Sequence, residues 1–302
     1  MTGMKKSVLP FILFTLLFVS CNSGKSSNQK DDTMESTSID SINFKSDYSV
    51  VNGLKMYYEL HGNNGNYLVL IHGGGSTITT SFGTIIPLLA KKFRVVAVEL
   101  QSHGHTGNRD EPESFEQDAD DVASLLGNLH IDKASFFGFS NGGNTAMQIA
   151  VRHPEIVDRL EIASAFYKRN GLIPGFFDGM QHAGPDDMPE VLKNAFLMIN
   201  PDTNALMAMF TNDRDRMLRF RDWSDDVLRS IKAPSLLIFG DHDVVLPEHA
   251  VAMSKLIANS RLMILPGLHG EYIGVEEIGK VDDTLVALTI DEIRSFLKNL
   301  SE

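Results

Sequence analysis

Hydrophobic and polar residues follow two alternating patterns from about residue 48 onward. Short runs that are apolar throughout are typical of strands buried on both faces of a parallel sheet. Between them, apolar residues spaced three and four apart predict amphipathic helices, most clearly after the capping box Ser114-Phe-Glu-Gln117. Strands that alternate with helices predict a doubly wound α/β fold. The predicted buried strands are residues 67–71, 93–100, 134–139, 156–163, 234–239 and 261–265.

The alternation has a distinct beginning and one long interruption. Asn52-Gly53 separates two alternating runs, which predicts an antiparallel hairpin ahead of the parallel strands. A helical pattern is predicted over residues 81–92 and another over residues 283–300. Between Phe166 and Ile231 the alternation stops, and Met and Phe are scattered among Gly, Pro and Asp. This segment is interpreted as an insertion into one domain.

The first residues have the pattern of a targeting segment. Lys5-Lys6 precedes an apolar run over residues 8–19, which is too short to span a membrane comfortably. The run ends in Ser20-Cys21, which resembles the lipobox of bacterial lipoproteins; that resemblance implies a signal peptide over 1–20 and a lipid on Cys21. Residues 21–46 are polar and are expected to form an unfolded tether. The alternatives are a plain signal peptide or an uncleaved anchor with an incidental cysteine.

Composition argues for a globular protein and against nucleic-acid binding and thiol chemistry. The 302 residues are 43% hydrophobic and 22% charged, with a formal net charge of −12, which indicates a globular protein. A nucleic-acid partner is disfavoured because no cluster of Lys and Arg follows the N-terminus. Cys21 is the only cysteine, so a lipidated chain has no thiol left for a disulfide, a metal or a nucleophile.

One strand-to-helix junction carries the strongest chemical signal. Gly138 and Gly142 flank Ser140 at the spacing G-x-S-x-G, in which small residues allow a turn that exposes the serine hydroxyl. A serine needs a base within hydrogen-bond reach, and the base needs a third group to fix its tautomer. Asp243 and His269 follow later predicted strands, and the carboxyl ends of parallel strands share one sheet edge. The three residues are therefore a candidate catalytic triad.

Together these features resemble the α/β-hydrolases. The resemblance covers residues 47–302 and rests on four motifs in order, namely His72-Gly-Gly after a strand, the Ser140 turn, Gly240-Asp-His-Asp243 and Pro266-Gly-Leu-His269. It implies a mostly parallel eight-stranded sheet, with a helical cap over about 167–231 between strands 6 and 7. It also implies backbone oxyanion donors at Asn141 and Gly74, although Gly73 and Gly75 stay open. No cofactor or metal is required.

Several neighbouring residues have competing interpretations. The family spacing selects Asp243 as the acid, with Asp241 as the alternative in a turn or facing solvent. His242 next to Asp241 suggests a metal site, but no further cluster of ligands accompanies the pair. His72 is expected to orient its loop, and residues 103–105 are expected to be structural. Trp223 and its neighbouring acids are expected to pack the cap on the core.

The cap sequence suggests the substrate class. Apolar side chains of the cap are expected to line the pocket of an uncharged, moderately hydrophobic substrate. Alternatively, they pack the cap's own core. These side chains are Phe176, Phe177, Met180, Phe196, Met198, Met207, Met209 and Phe210. The expected function is a serine hydrolase of carboxylic esters that is lipid-anchored in a bacterial cell envelope, with the anchor as its only membrane contact. The alternatives are a C–C hydrolase, lactonase, aminopeptidase or perhydrolase on the same triad, or a non-catalytic small-molecule-binding lipoprotein.

Overall fold

The fold is an eight-stranded, mostly parallel α/β sheet, as the sequence predicts. The computed structural model describes residues 44–298, so the predicted signal peptide, Cys21 and most of the predicted tether lie outside the described residues. Within 44–298 the strands are β1 (Lys45–Val51), β2 (Leu54–His61), β3 (Tyr67–Ile71), β4 (Arg94–Val98), β5 (Ala134–Phe139), β6 (Val157–Ala163), β7 (Ser235–Gly240) and β8 (Ser260–Leu265).

The strand order brings the loops with polar motifs to one edge. The order is β1-β2-β4-β3-β5-β6-β7-β8. β1 and β2 form the antiparallel hairpin predicted from Asn52-Gly53, and β2 pairs antiparallel with β4. From β4 to β8 every pairing is parallel. The loops after β3, β5, β7 and β8 therefore open at the same edge of the sheet.

Helices cover both faces of this sheet. They are α1 (Ile78–Phe82), α2 (Ile86–Leu89), α3 (Phe115–Asn128), α4 (Asn141–Arg152), α5 (Phe176–His182), α6 (Glu190–Ile199), α7 (Thr203–Arg219), α8 (Asp225–Ser230), α9 (Pro247–Leu256) and α10 (Asp283–Lys298). Alternate residues of β3 enter different cores: Val69 and Ile71 pack with α3 and α4, whereas Leu68 and Leu70 pack with α1, α2 and α10. This explains why β3 is apolar at every position.

The segment between β6 and β7 is helical, as expected of a cap. It contains α5, α6, α7 and α8. A small apolar core of its own holds it together, formed by Met188, Leu192, Phe196, Leu206 and Met209. Across residues 44–298, no helix combines the length and apolar character needed to cross a membrane.

The prediction of one continuous helix over residues 81–92 is wrong. The structure has two short helices there, α1 from Ile78 to Phe82 and α2 from Ile86 to Leu89. Pro87 lies in the first turn of α2, where its missing N–H costs nothing, but in a continuous helix its ring would clash with a carbonyl one turn earlier. The chain therefore starts a new helix at Ile86.

Candidate active site

Ser140 lies in a sharp turn between β5 and α4. Its backbone has φ 53° and ψ −122°, a conformation that non-glycine residues rarely adopt and that costs about 1–3 kcal/mol. Gly142 makes the turn possible, since a Cβ at this position would lie 2.0 Å from the carbonyl oxygen of Ile71. The backbone of the turn therefore packs directly on the end of β3, and the surrounding structure holds Ser140 in a strained conformation at the sheet edge.

The structure brings Ser140, His269 and Asp243 into one hydrogen-bonded chain. Nε2 of His269 lies 3.0 Å from Oγ of Ser140, and Nδ1 of His269 lies 2.7 Å from Oδ1 of Asp243. The three residues come from the loops after β5, β8 and β7. When His269 is neutral, its Nδ1–H donates to the carboxylate, and Nε2 is free to accept a proton from the serine.

The charges at this site favour a carboxylate beside a basic imidazole. Burial by itself lowers the pKa of His269, but the charge and hydrogen bond of Asp243 outweigh it and leave the pKa raised above 6.5. Burial likewise raises the pKa of Asp243, but His269, Ser164 and the N–H of Val245 together leave it lowered. Asp243 therefore stays ionised at neutral pH, and its charge makes His269 a stronger base.

Asp241 occupies a different environment from Asp243. Its carboxylate accepts a hydrogen bond from the N–H of Gly267 at 2.8 Å and is exposed to solvent. It also lies 2.9 Å from Nδ1 of His242, which is likewise exposed. Asp241 thus stabilises the turn before His269, in keeping with its predicted turn role. In the described part of the chain, no group of three or more His, Cys, Asp or Glu side chains is placed to hold a metal ion.

Two polar residues behind Asp243 were not predicted from the sequence. The hydroxyl of Ser164 donates to Oδ2 of Asp243. That hydroxyl also lies 2.7 Å from the hydroxyl of Tyr272, whose one proton is shared between Oγ of Ser164 and the carbonyl oxygen of Ile238, 3.0 Å away. Ser164 directly follows β6, so its position at the carboxyl end of a parallel strand was an available signal. Ser164 and Tyr272 fix the carboxylate that orients His269.

Hydrogen bonding distinguishes the three glycines after β3. The N–H of Gly73 donates to Oγ of Ser81 at 3.3 Å, and that of Gly75 donates to Oδ2 of Asp213 at 2.6 Å. The structure gives the N–H of Gly74 no partner within residues 44–298. Asn141 is the first residue of α4, where backbone N–H groups have no partner inside the helix. Gly74 and Asn141 are therefore the available donors around Ser140.

His72 supports this loop as a neutral side chain. Its Nδ1–H donates to the carbonyl of Gly73 at 2.7 Å, and its Nε2 accepts from the N–H of Leu100 at 3.0 Å. Burial, together with the charge of His103, lowers the pKa of His72 to about 3. His72 therefore orients the loop, as predicted, and lacks a free nitrogen for proton transfer.

A cavity of about 410 Å³ lies over Ser140 and is lined mainly by apolar side chains. Among the eight cap residues predicted for this pocket, Phe176, Met180 and Phe210 line it. Phe196 and Met209 instead belong to the cap's own core, and Phe177 packs on the core of the main domain. Met198 is 88% exposed and Met207 is 42% exposed. The pocket and packing interpretations are thus each correct for different residues.

Comparison with known proteins identifies the family of this chain. The sequence profile of the alpha/beta hydrolase family matches residues 68–269, which include Ser140, Asp243 and His269. The chain belongs to this family.

Individual members of the alpha/beta hydrolase family align over most of the described domain. The chain is 28% identical to the serine hydrolase BPHL of Homo sapiens over 243 residues, covering 74% of this chain and 79% of that protein. It is 27% identical to a 2-hydroxy-6-oxo-2,4-heptadienoate hydrolase of Pseudomonas putida over 252 residues, covering 74% and 90%. The crystal structure of an enol-lactonase from Burkholderia xenovorans superimposes with a TM-score of 0.65 at 21% identity, covering 84% and 100%.

This hydrolase also contains a buried cluster of charged side chains that the sequence did not reveal. Asp213 and Arg216, on cap helix α7, are ion-paired with each other. Arg216 also donates to Oδ2 of Asp118 on α3 at 2.8 Å, and Nε2 of His103 lies 2.9 Å from Oδ2 of Asp213. Residues 103–105, interpreted as structural from sequence, thus include a charged contact with the cap. Along α7 the run Asn212-Asp-Arg-Asp-Arg216 resembles a solvated helix face, which hid this contact.

Trp223 has the packing role predicted for it. Its ring lies 6.2 Å from the ring of Phe115 on α3 and 5.7 Å from that of Phe220 in the cap. The neighbouring carboxylates bind the segment that follows β6, since Asp222 accepts from the N–H of Arg169 and Asp225 from Nζ of Lys168. This cluster joins the end of the cap to the core.

Proposed function

We propose that the protein is a serine hydrolase that cleaves a carboxylic ester-type bond through an acyl-enzyme on Ser140. The observation that supports this most directly is the Ser140–His269–Asp243 chain, with distances of 3.0 and 2.7 Å. Its geometry matches the arrangement in which a histidine activates a serine nucleophile. The unpaired backbone N–H groups beside Ser140 provide a place for a developing oxyanion.

The proposed reaction has two halves that use the same histidine. Oγ of Ser140 attacks the carbonyl carbon while its proton passes to Nε2 of His269, and the resulting oxyanion accepts hydrogen bonds from the N–H groups of Asn141 and Gly74. The bond to the leaving alcohol then breaks, and His269 donates the proton to the alcohol oxygen. Water, deprotonated by His269, attacks the acyl-serine; the acid leaves and Ser140 regains its proton.

The pocket favours a small substrate without a negative charge. Apart from His269, its ionisable lining residues are Asp187, Asp213, Glu277 and Arg214. Arg214 is already ion-paired with Asp215 at 2.9 Å, so no unpaired cation among these residues faces the cavity. The apolar walls can accept an acyl or alcohol group, whereas an anionic group would be buried there without a counter-ion. A neutral, moderately hydrophobic ester fits this environment best.

A second candidate is hydrolysis of a carbon–carbon bond. It is supported by the likeness to the Pseudomonas putida 2-hydroxy-6-oxo-2,4-heptadienoate hydrolase, 90% of whose length aligns with this chain. The lining residues argue against it, because that named compound is a carboxylate and they offer it no unpaired cation. Purified protein should be compared on p-nitrophenyl butyrate, a neutral lactone, an amide and the heptadienoate. Preference for the heptadienoate over every neutral ester would replace the ester proposal with the carbon–carbon one.

The role of Ser140 is tested by Ser140→Ala. We expect kcat on p-nitrophenyl butyrate to fall by roughly 10⁵- to 10⁶-fold, because the nucleophile is lost. Ser230→Ala, at an exposed position on the last turn of α8, is the matched control and should retain wild-type kcat. Wild-type protein without activity on the whole panel, or a Ser140→Ala variant as active as wild type, would contradict the proposal.

Lipidation of Cys21 is a separate proposal that rests on the sequence pattern alone. It would place the enzyme at a membrane of the bacterial cell envelope, attached by its N-terminal lipid. Metabolic labelling with an alkynyl fatty acid should mark the full-length chain and should fail for Cys21→Ala, which removes the only cysteine. Equal label in the Cys21→Ala chain would contradict lipidation at this residue.

A further inference from the structure

Asp213 belongs to the cap, but its carboxylate binds the two loops that surround Ser140. Oδ2 accepts from the N–H of Gly75 at 2.6 Å, and Oδ1 accepts from Nδ2 of Asn141 at 3.3 Å. Gly75 is in the loop after β3, whereas Asn141 directly follows Ser140. Asp213 is only 9% exposed, so these bonds form in a largely water-excluded environment. One carboxylate therefore joins the two segments that provide the proposed oxyanion donors.

Two cations keep this carboxylate ionised and fixed in place. Arg216, one turn later on α7, donates to Oδ1. His103 donates from Nε2 to Oδ2, and its Nδ1 donates to the carbonyl of Gln101 at 2.7 Å, so both ring nitrogens carry protons. Burial by itself raises the pKa of Asp213, but His103 and Arg216 outweigh it and leave the pKa well below its ordinary value. Asp213 thus remains an acceptor for all four donors.

The bond to Gly75 restricts the orientation of the preceding peptide. Because the N–H of Gly75 points to Asp213, the peptide plane between Gly74 and Gly75 cannot rotate freely. Gly74 also packs on the side chains of Asn141 and Asp213. A Cβ added at Gly74 would lie 2.4 Å from Nδ2 of Asn141 and 3.3 Å from Oδ2 of Asp213. The N–H of Gly74 itself lies in the preceding peptide, whose Gly73 carbonyl accepts from Nδ1–H of His72 at 2.7 Å. Asp213 fixes the following peptide and the side chain of Asn141, so the backbone of Gly74 is held from both sides.

We propose that Asp213 is a positioning residue for the oxyanion hole, so that the cap contributes to catalysis as well as to substrate selection. The inference rests on the proposed Ser140 acyl-enzyme mechanism. Asp213 acts through the backbone of Gly74 and Asn141 and transfers no proton itself. Its effect is to hold two donors in the geometry that the tetrahedral intermediate needs before the substrate arrives.

The test is Asp213→Asn, which keeps the shape of the side chain. An amide has one acceptor oxygen, so it cannot serve donors at both ends of the group. We expect kcat on p-nitrophenyl butyrate to fall by roughly 10- to 100-fold with KM within about threefold of wild type, since a whole oxyanion donor is worth 10²- to 10³-fold. Asp226→Asn is the control; it removes an 88% exposed carboxylate from the same cap and should leave kcat unchanged.

Affinity for a boronic acid separates positioning from a purely structural role. A butylboronic acid bound to Ser140 resembles the tetrahedral intermediate, so its affinity should fall in Asp213→Asn by the same factor as kcat/KM. End-point titration with a fluorophosphonate counts the active sites whose serine reacts, so that kcat can be expressed per active site. If kcat per site and boronate affinity both match wild type, while only the number of sites or Tm falls, Asp213 is structural and the inference is wrong.

Asn141→Ala provides a second variant if Asp213→Asn does not fold. It keeps the backbone N–H of Asn141 but removes the side chain that binds Asp213, and we expect a fall in kcat of roughly 3- to 10-fold, with boronate affinity falling in parallel. Unchanged kcat and boronate affinity would contradict the inference. If wild-type activity persists in Ser140→Ala, the proposed function itself fails; if Ser140 is essential but Asp213→Asn behaves as Asp226→Asn, only the inference fails.

Discussion

The two sides of Ser140 are supported by different parts of the molecule. On the side of the base, Asp243, Ser164 and Tyr272 stand behind His269, and all of them belong to the core domain. On the oxyanion side, the loop after β3 and the start of α4 are bound by Asp213 from cap helix α7. The Ser140–His269–Asp243 chain and its supporting residues therefore lie within the core, whereas the loops on the proposed oxyanion side are bound by the cap.

This difference separates two kinds of sequence change. Changes at Asp243 and Tyr272, which do not line the cavity, should alter proton transfer without altering which substrates fit. Helix α7 contributes to both substrate fit and oxyanion stabilisation, because Phe210 and Met217 line the cavity while Asp213 binds Gly75. A cap without a carboxylate at the position of Asp213 should then lower kcat, as we expect of Asp213→Asn.

The largest effect on the base side is expected from Asp243→Asn. The amide removes the charge that stabilises protonated His269 and favours the wrong tautomer, so kcat/KM on p-nitrophenyl butyrate should fall by roughly 10⁴-fold. Asp241→Asn is the matched control two residues earlier and should remain within about twofold of wild type, as for most exposed substitutions. A larger loss in Asp241→Asn than in Asp243→Asn would reverse the assignment of the acid.

A smaller effect is expected from Ser164→Ala. This variant removes one donor to the Asp243 carboxylate but leaves His269 and the N–H of Val245 bound to it. Loss of one hydrogen bond to a charged group corresponds to about 1.5–3 kcal/mol, so kcat should fall by at most roughly 10- to 100-fold. Boronate affinity should fall less than it does in Asp213→Asn. The opposite order would show that the two sides are not separate.

The pH dependence of kcat/KM tests how Asp243 acts on His269 and compares this effect with that of Asp213. The base must be neutral, so kcat/KM should rise as the pH increases through the pKa of His269, which Asp243 keeps above 6.5. Without the carboxylate, burial lowers the pKa of the imidazole and only the weaker influence of Glu277 opposes it. The acid limb of Asp243→Asn should therefore lie at lower pH than that of wild type, whereas the limb of Asp213→Asn should not move. An acid limb that moves to higher pH in Asp243→Asn would contradict this account.

The smallest predicted effect is on the free energy of unfolding, through His103, which binds Asp213 on the oxyanion side. Burial lowers the pKa of His103, but Asp213 outweighs it and raises the pKa to about 9. A raised histidine pKa stabilises the fold fully below the ordinary value of 6.5, and this contribution is lost as the pH rises through about 9. The pKa of Asp118, which burial raises to about 7, affects stability mainly at lower pH.

Urea unfolding between pH 7 and 9 tests this directly. In wild type the free energy of unfolding should decrease by at most about 1.4 kcal/mol per pH unit, the limit for one proton. In His103→Gln the decrease should be smaller over the same range. An equal slope in the two proteins would show that His103 is neutral when folded.

Motifs at strand ends made the fold and the triad predictable. Apolar strands, the Ser140 turn and the residues after β7 and β8 follow the rule that parallel strands end at one edge. Gly74 was predicted from the resemblance alone, with Gly73 and Gly75 left open, because the choice depends on hydrogen bonds to Ser81 and Asp213, of which Asp213 is distant in sequence. Asp213 itself was missed, because its burial arises only from the packing of α7 on loops of the core.

The central claim is that Ser140 is the activated nucleophile, and covalent labelling tests it most directly. Wild-type protein should be incubated with a fluorophosphonate, digested and mapped by tandem mass spectrometry. Oγ of Ser140 should displace fluoride and carry one phosphonyl group per chain, while Ser140→Ala should carry none. An unlabelled wild-type chain, or a phosphonyl group on another residue while Ser140 stays free, would contradict the account.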